Sequence, residues 1–178
     1  MVQVAVSQRA CALEFASLEL RDDLHIILGA LSKDPCSLKF ASERLRSDSQ
    51  VVTAAVSDDA CALEFAGEGL RDDHGIVLAA VSMMGTSLEY ASSRLRDHEE
   101  IVHAALGRDA LALEFASERL RSDRDTVMIA VAGSGLALRY ASKELRCDRS
   151  VVMAAVSECS GALRFAPASM RGDSDVMK

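Results

Sequence analysis

The histidines and cysteines are the side chains best suited to metal binding or nucleophilic chemistry, and the chain has four of the former and five of the latter. No Cys-x-x-Cys pair occurs, and no histidine lies beside a cysteine at metal-ligand spacing. His98 and His103 are five residues apart, which does not align them on one helix face. Cys11, Cys36 and Cys61 share a position, 25 residues apart, that Leu and Thr occupy elsewhere. This pattern predicts a packing position, without disulfides, and we expect no catalytic residue, cofactor or metal site.

Arginines at 25-residue intervals could instead track phosphates, as basic rows do in some helical-repeat proteins that bind RNA. An aspartate follows two residues later in six of the seven cases. Each arginine also falls where a helix should end, a place that favours a cation. We therefore favour structural pairing of each arginine and keep nucleic-acid binding as the alternative. The column consists of Arg21, Arg46, Arg71, Arg96, Arg121, Arg146 and Arg171.

A second column changes along the chain and is the candidate site for a protein partner. If it faces outward, its Leu and Met side chains are exposed enough to grip a peptide or helix. The alternative is that the column is half-buried against the next repeat, and the sequence does not decide between the two. We call this column the stripe: Leu28, Thr53, Leu78, His103, Met128 and Met153.

These columns exist because one 25-residue pattern recurs without insertion, which indicates an internal repeat. Within residues 48–72, Asp48 precedes "SQVVTAAVS" as a helix N-cap, and "CALEFAGEGLR" places Leu63, Ala66 and Leu70 at helical spacings. Each unit is therefore predicted to form two short α-helices, and His98, which replaces the aspartate once, should cap less well. The units are numbered 1 to 7 and span about 1–23, 24–48, 49–73, 74–98, 99–123, 124–148 and 149–173, with a partial unit at 174–178.

The predicted fold is all-α: a single domain over residues 1–178 in which about seven helix-turn-helix units stack as a right-handed α-solenoid. Helices this short are marginal alone, so stacking must stabilise them. Two columns are invariably alanine, which allows backbones to approach closely. Neither end carries an obvious polar cap, which predicts either end-to-end association or a fragment of a longer array.

The pattern "LEFASERLRSD" combined with "VVxAAVS" resembles the short helical repeats known as domain of unknown function 4116. The resemblance covers nearly all of residues 1–178 and implies helical repeats in tandem. It implies no activity, cofactor or catalytic residue.

The composition narrows the function further. The net charge of −7 argues against a general binder of nucleic acids or anionic membranes, although residues 99–178 are nearly neutral. No apolar run is long enough to span a bilayer and no signal peptide is evident, so an intracellular, cytoplasmic location is expected. We therefore predict a non-enzymatic scaffold that binds another protein along an extended surface.

Overall fold

A computed structural model describes the backbone of residues 10–171 and the side chains of residues 12–171, and every regular element in this range is helical. One long α-helix opens each unit from unit 2 onward. The long helices are Leu24–Leu31, Ser49–Asp58, His74–Met83, Glu99–Arg108, Arg124–Gly133 and Arg149–Glu158. The prediction of an all-α repeat protein is confirmed for these residues.

The second half of each unit differs from the prediction of one continuous α-helix. It begins with a six-residue 3-10 helix and ends with a separate short helix of about one turn. The 3-10 helices are Ala10–Phe15, Pro35–Phe40, Ala60–Phe65, Gly85–Tyr90, Ala110–Phe115, Gly135–Tyr140 and Ser160–Phe165. The short helices are Leu18–Arg21, Glu43–Arg46, Glu68–Arg71, Leu95–Asp97, Glu118–Arg121, Leu145–Cys147 and Ala168–Arg171.

The break between these two helices joins consecutive units. Ala66 adopts an extended conformation (φ −65°, ψ 150°), which turns the following amide toward the preceding unit. The Gly67 amide then donates to the carbonyl oxygen of Arg46 at 2.8 Å. The same bond recurs between unit pairs as Ser42 to Arg21, Ser92 to Arg71, Ser117 to Arg96 and Ser142 to Arg121, each at 2.9 Å. A continuous helix would direct this amide into its own backbone, so the break provides one hydrogen bond at each interface from units 1 and 2 to units 5 and 6.

Pro167 occupies this position in unit 7 and has no amide to donate. It lies just before the last short helix, outside the helix, so it does not clash with a preceding turn. The consequence of Pro167 is that unit 7 lacks the backbone hydrogen bond to the preceding unit.

Aspartates start the long helices as predicted. Asp48 accepts from the amides of Gln50 and Val51, and equivalent bonds occur at Asp23, Asp73, Asp123 and Asp148. His98 begins the long helix of unit 5 without a side-chain cap bond, which confirms the expected exception.

The core follows the invariant columns. Leu63 and its equivalents in units 1 to 6 are fully buried, as is the long-helix alanine column from Ala30 to Ala155. Every pair of helices with substantial contact lies in the same unit or in consecutive units. Between units, long helices pack on long helices, 3-10 helices on 3-10 helices, and long helices on the 3-10 helix of the preceding unit. Packing between units is therefore predominantly between nearest neighbours.

None of the helices described reaches the length and hydrophobicity that a bilayer-spanning segment requires.

Candidate functional site

The arginine column lies at the interfaces between units, half-buried along its length except at Arg171. The described aspartates two residues later, from Asp23 to Asp148, cap the long helices and form no ion pair with the arginine column, so the expected Arg–Asp pairing is wrong for these units. Asp173 lies outside the described residues. Arg21 instead donates to the carbonyl oxygens of Leu13 and Glu14, and Arg171 to that of Ala166. Five members have a buried Nε without a hydrogen-bond partner among the described residues, namely Arg46, Arg71, Arg96, Arg121 and Arg146.

A groove of about 420 Å³ runs between the short helices of units 6 and 7. Lys143, Arg146, Arg164 and Arg171 line it together with the ring of Phe165. No carboxylate of the described residues is among the lining side chains. We call this cleft the basic groove, because four cationic side chains line it together with one aromatic ring.

Two guanidinium groups lie against the Phe165 ring of the groove. The Arg164 guanidinium lies 4.6 Å from the centre of the Phe165 ring, and that of Arg139 lies 6.0 Å from the same ring. A guanidinium at this distance is attracted by the electron-rich face of the ring. Arg164 is exposed and Phe165 is half-buried, so both side chains retain surface that a ligand can contact.

Two of the four cations, Arg146 and Arg171, belong to the arginine column, and the other two occupy columns that are mostly acidic in earlier units. Lys143 occupies the position of Glu43, Glu68 and Glu118. Arg164 occupies the position of Glu14, Glu64, Glu89 and Glu114.

The cleft between units 5 and 6 has mixed charge by comparison. It measures about 330 Å³ and is lined by Glu118 and Glu144 as well as by Arg121, Lys143 and Arg146. The charge therefore changes toward the end of the described chain while the fold of the units stays the same.

A repeated polar cluster joins other unit pairs and was not predicted. The Ser92 hydroxyl donates to the Asp72 carboxylate, and Arg94 donates to the same carboxylate at 3.0 Å and to the Asp72 carbonyl at 2.7 Å. The same inter-unit clamp occurs as Asp22–Ser42–Arg44 and Asp97–Ser117–Arg119. In all three, the serine hydroxyl and then the arginine hold the pKa of the aspartate below its usual value.

The clamp residues vary together along the chain. Where the aspartate is replaced by Ser47, Ser122 or Cys147, the arginine is also replaced, by Gly69, Glu144 and Ser169 respectively. A carboxylate without its partner arginine would be an unpaired charge at an interface, which explains the joint loss. Residues that are 20 and 22 positions apart meet here because consecutive units stack, and the joint replacement of aspartate and arginine is the trace that this contact leaves in the sequence.

The stripe divides into two parts. Leu28 and Thr53 are exposed, whereas the other four members are half-buried. Leu78, Met128 and Met153 pack against the core, and His103 Nε2 lies 3.0 Å from the Thr126 hydroxyl of the next unit. Little of its apolar surface therefore remains free beyond unit 3.

The cysteines whose side chains are described are all free thiols. Cys36 and Cys61 are half-buried at their packing position, and burial is the main cause that raises the pKa of Cys36 to about 11. Cys147 is exposed in its turn. The side chain of Cys11 lies outside the described residues.

Two histidines from consecutive units come together. His74 and His98 are 24 residues apart, yet their ring centres lie 5.1 Å apart. His74 Nε2 is also 3.3 Å from Glu100 Oε2. Local spacing could not reveal this cluster, but a separation close to one repeat length could.

Comparison with known proteins identifies one family. The model of a family described as "Domain of unknown function (DUF4116)" matches residues 2–46, 48–96, 98–146 and 127–171. Each match spans nearly two of the 25-residue units. No curated protein and no solved structure matched the chain.

Proposed function

The chain belongs to the DUF4116 family of tandem helical repeats, and on that basis we propose that it is a non-enzymatic scaffold that binds another protein. In this proposal its seven units form a right-handed α-solenoid, whose length offers a series of similar clefts. The predominantly nearest-neighbour packing of the units supports this architecture. The free thiols support an intracellular, reducing location.

The observation that carries the binding proposal is the basic groove. Its four cations fit an acidic segment of a partner, and the Phe165 ring fits an apolar side chain within that segment. The stripe is the second candidate surface, and its partial burial makes it the weaker one. The protein partner is accordingly expected to present clustered Asp or Glu residues next to a Leu or aromatic residue.

Fluorescence anisotropy with a labelled peptide of alternating Glu, Asp and Leu tests the groove directly. We expect saturable binding that is lost in the variant Lys143→Glu with Arg164→Glu. Both substitutions introduce the residue found in the same columns at Glu118 and Glu114, so the fold should tolerate them.

A matched control carries Leu78→Glu and Met128→Glu on the stripe. Retained peptide binding in this control, with loss in the groove variant, supports the groove. Loss only in the stripe variant would move the binding surface to the long helices, and equal binding by all three proteins would refute a specific surface.

Nucleic-acid binding is the rival function, because the basic groove and the arginine column could both contact phosphates. Five arginine Nε atoms are buried, which reduces the number of hydrogen-bond donors that the arginine column can present to a nucleic-acid phosphate. Binding of a single-stranded oligonucleotide tighter than that of the acidic peptide, with a steep loss of affinity as salt rises, would favour this rival.

End-to-end self-association is a separate expectation. Phe15 and Leu18 expose 87% and 81% of their surface, whereas the aromatic column is half-buried in every later unit. Light scattering over a wide concentration range should show oligomers, and fewer in Phe15→Ser. A monomer at every concentration would remove this expectation.

A further inference from the structure

The cluster of His74, His98 and Glu100 lies where the long helices of units 4 and 5 begin. His74 is the first residue of one helix, His98 precedes the next, and Glu100 is the second residue of that next helix. Consecutive long helices pack against each other, so their first residues meet. One potential ligand atom from each of the three side chains lies within 4.8 Å of the other two.

The closest separation matches that of two ligands of one metal ion. Ligands about 2.0–2.2 Å from a tetrahedral zinc ion stand about 3.3–3.6 Å from each other. His74 Nε2 and Glu100 Oε2 are 3.3 Å apart. Their side chains are 41% and 63% exposed, so small rotations can bring the third ligand atom within coordination distance.

His98 has a ring nitrogen without a function in the fold. Its Nδ1 is buried and has no hydrogen-bond partner among the described residues. A buried polar atom left unsatisfied is costly. The second ring nitrogen provides no cap for the helix it precedes.

The repeat itself shows that His98 is a departure from what the fold prefers. Every other described long helix begins with an aspartate that accepts from one or two backbone amides. Loss of such a cap costs about 0.5–2 kcal/mol in other proteins. Positions that break a local rule without structural compensation are where function is expected.

We propose that His74, His98 and Glu100 bind a divalent transition metal ion, zinc foremost, which links units 4 and 5. Two imidazoles and one carboxylate are ligands that suit zinc, and the exposure of the site leaves a coordination position for water. Glu99 is not a ligand, because its carboxylate pairs with Arg119 at 3.0 Å.

The test is titration of the chelator-treated full chain with zinc chloride, followed by calorimetry and by thermal unfolding. We expect one site per chain and a rise in Tm of about 5–10 °C at a zinc concentration one hundred times the Kd. Cobalt should give visible d–d absorption without a sulfur charge-transfer band, which separates this site from binding to the free thiols.

His98→Asn is the decisive variant, because asparagine is a good N-cap and a poor zinc ligand. Its metal-free Tm should rise while its response to zinc disappears. Glu100→Gln and His74→Ser, which introduce the residues found at Gln50 and Ser49, should weaken zinc binding about 100-fold or more. His103→Thr is the matched control, because it removes a neighbouring histidine and introduces the residue found at the equivalent position, Thr53. It should leave the affinity for zinc unchanged.

An unchanged response to zinc in His98→Asn would overturn the proposal. So would the absence of zinc binding by the native chain, which would leave His74 and Glu100 as a simple contact between two side chains. Neither result bears on the basic groove, since that surface lies between units 6 and 7.

Discussion

Gly85 lies at a close approach between the backbones of units 4 and 5. A Cβ atom added there would lie 2.4 Å from the carbonyl oxygen of Ala105 and 3.0 Å from the backbone nitrogen of Asp109. Neither is the flexible end of a side chain, so the backbone itself must move. The described glycines have no positive φ, so the need for glycine here is one of space.

Gly85→Ala is therefore expected to destabilise the protein. Overpacking costs about 1–3 kcal/mol, and the reduced freedom of the unfolded chain returns about 0.4–1 kcal/mol. A net loss of about 1–2 kcal/mol should lower Tm by about 2–8 °C for a protein of this size. Gly135→Ala should behave in the same way, because its added Cβ would lie 2.1 Å from the carbonyl oxygen of Ala155.

Gly107→Ala is the matched control, since it makes the same chemical change on the exposed face of a long helix. Nothing lies within 4 Å of its added Cβ, so higher helix propensity should raise stability by about 0.5–1 kcal/mol. Circular dichroism melts of the three variants give the comparison. A Tm that rises equally in Gly85→Ala and Gly107→Ala would refute the close approach of the units.

Three further predictions concern the clamp aspartates, Pro167 and the free thiols. The pKa values of Asp22, Asp72 and Asp97 are lowered in the folded protein, so the unfolded chain binds more protons in acid. Tm should therefore fall as the pH drops from about 5 toward 2. The fall should be shallower in Asp72→Asn, and an identical pH profile in this variant would argue against the clamp. Pro167→Ser introduces the missing amide and a potential helix cap, so the free energy of unfolding measured by chemical denaturation should rise by about 0.5–1.5 kcal/mol. An unchanged free energy would mean that unit 7 contributes little to the measured stability. Exposed Cys147 should react with a thiol reagent at pH 8 well before Cys36, whose pKa is raised to about 11. Labelling followed by mass spectrometry measures the order of reaction. Faster reaction of Cys36 would contradict its burial.

The features that depend on local chemistry were predictable from the sequence. Asp48 and its equivalents could be assigned as caps because they precede apolar helical patterns, and the leucine and alanine columns could be assigned to the core because they do not vary. The break in the second half of each unit was missed, although Gly67 and Pro167 share a column with serines. That column contains residues suited to helix starts and includes a proline, which is poorly tolerated within a helix.

Contacts between units required knowledge of which ends meet. Asp72 and Arg94 are 22 residues apart, and His74 and His98 are 24 apart, so neither pair lies on one helix. Separations slightly below the repeat length become neighbours only when the units stack in parallel. The basic groove was hidden for the same reason, because Lys143 and Arg164 belong to different units.

Deletion of residues 74–98 tests the central claim that each unit depends on its neighbours rather than on a closed globular core. The deletion joins Asp73 to Glu99, which gives the long helix of unit 5 an aspartate cap and places Asp72 opposite Ser117 and Arg119, the partners found in the native clamp. The shortened chain is predicted to unfold cooperatively, with unchanged ellipticity per residue in circular dichroism. Loss of helicity or of the cooperative transition would contradict the claim.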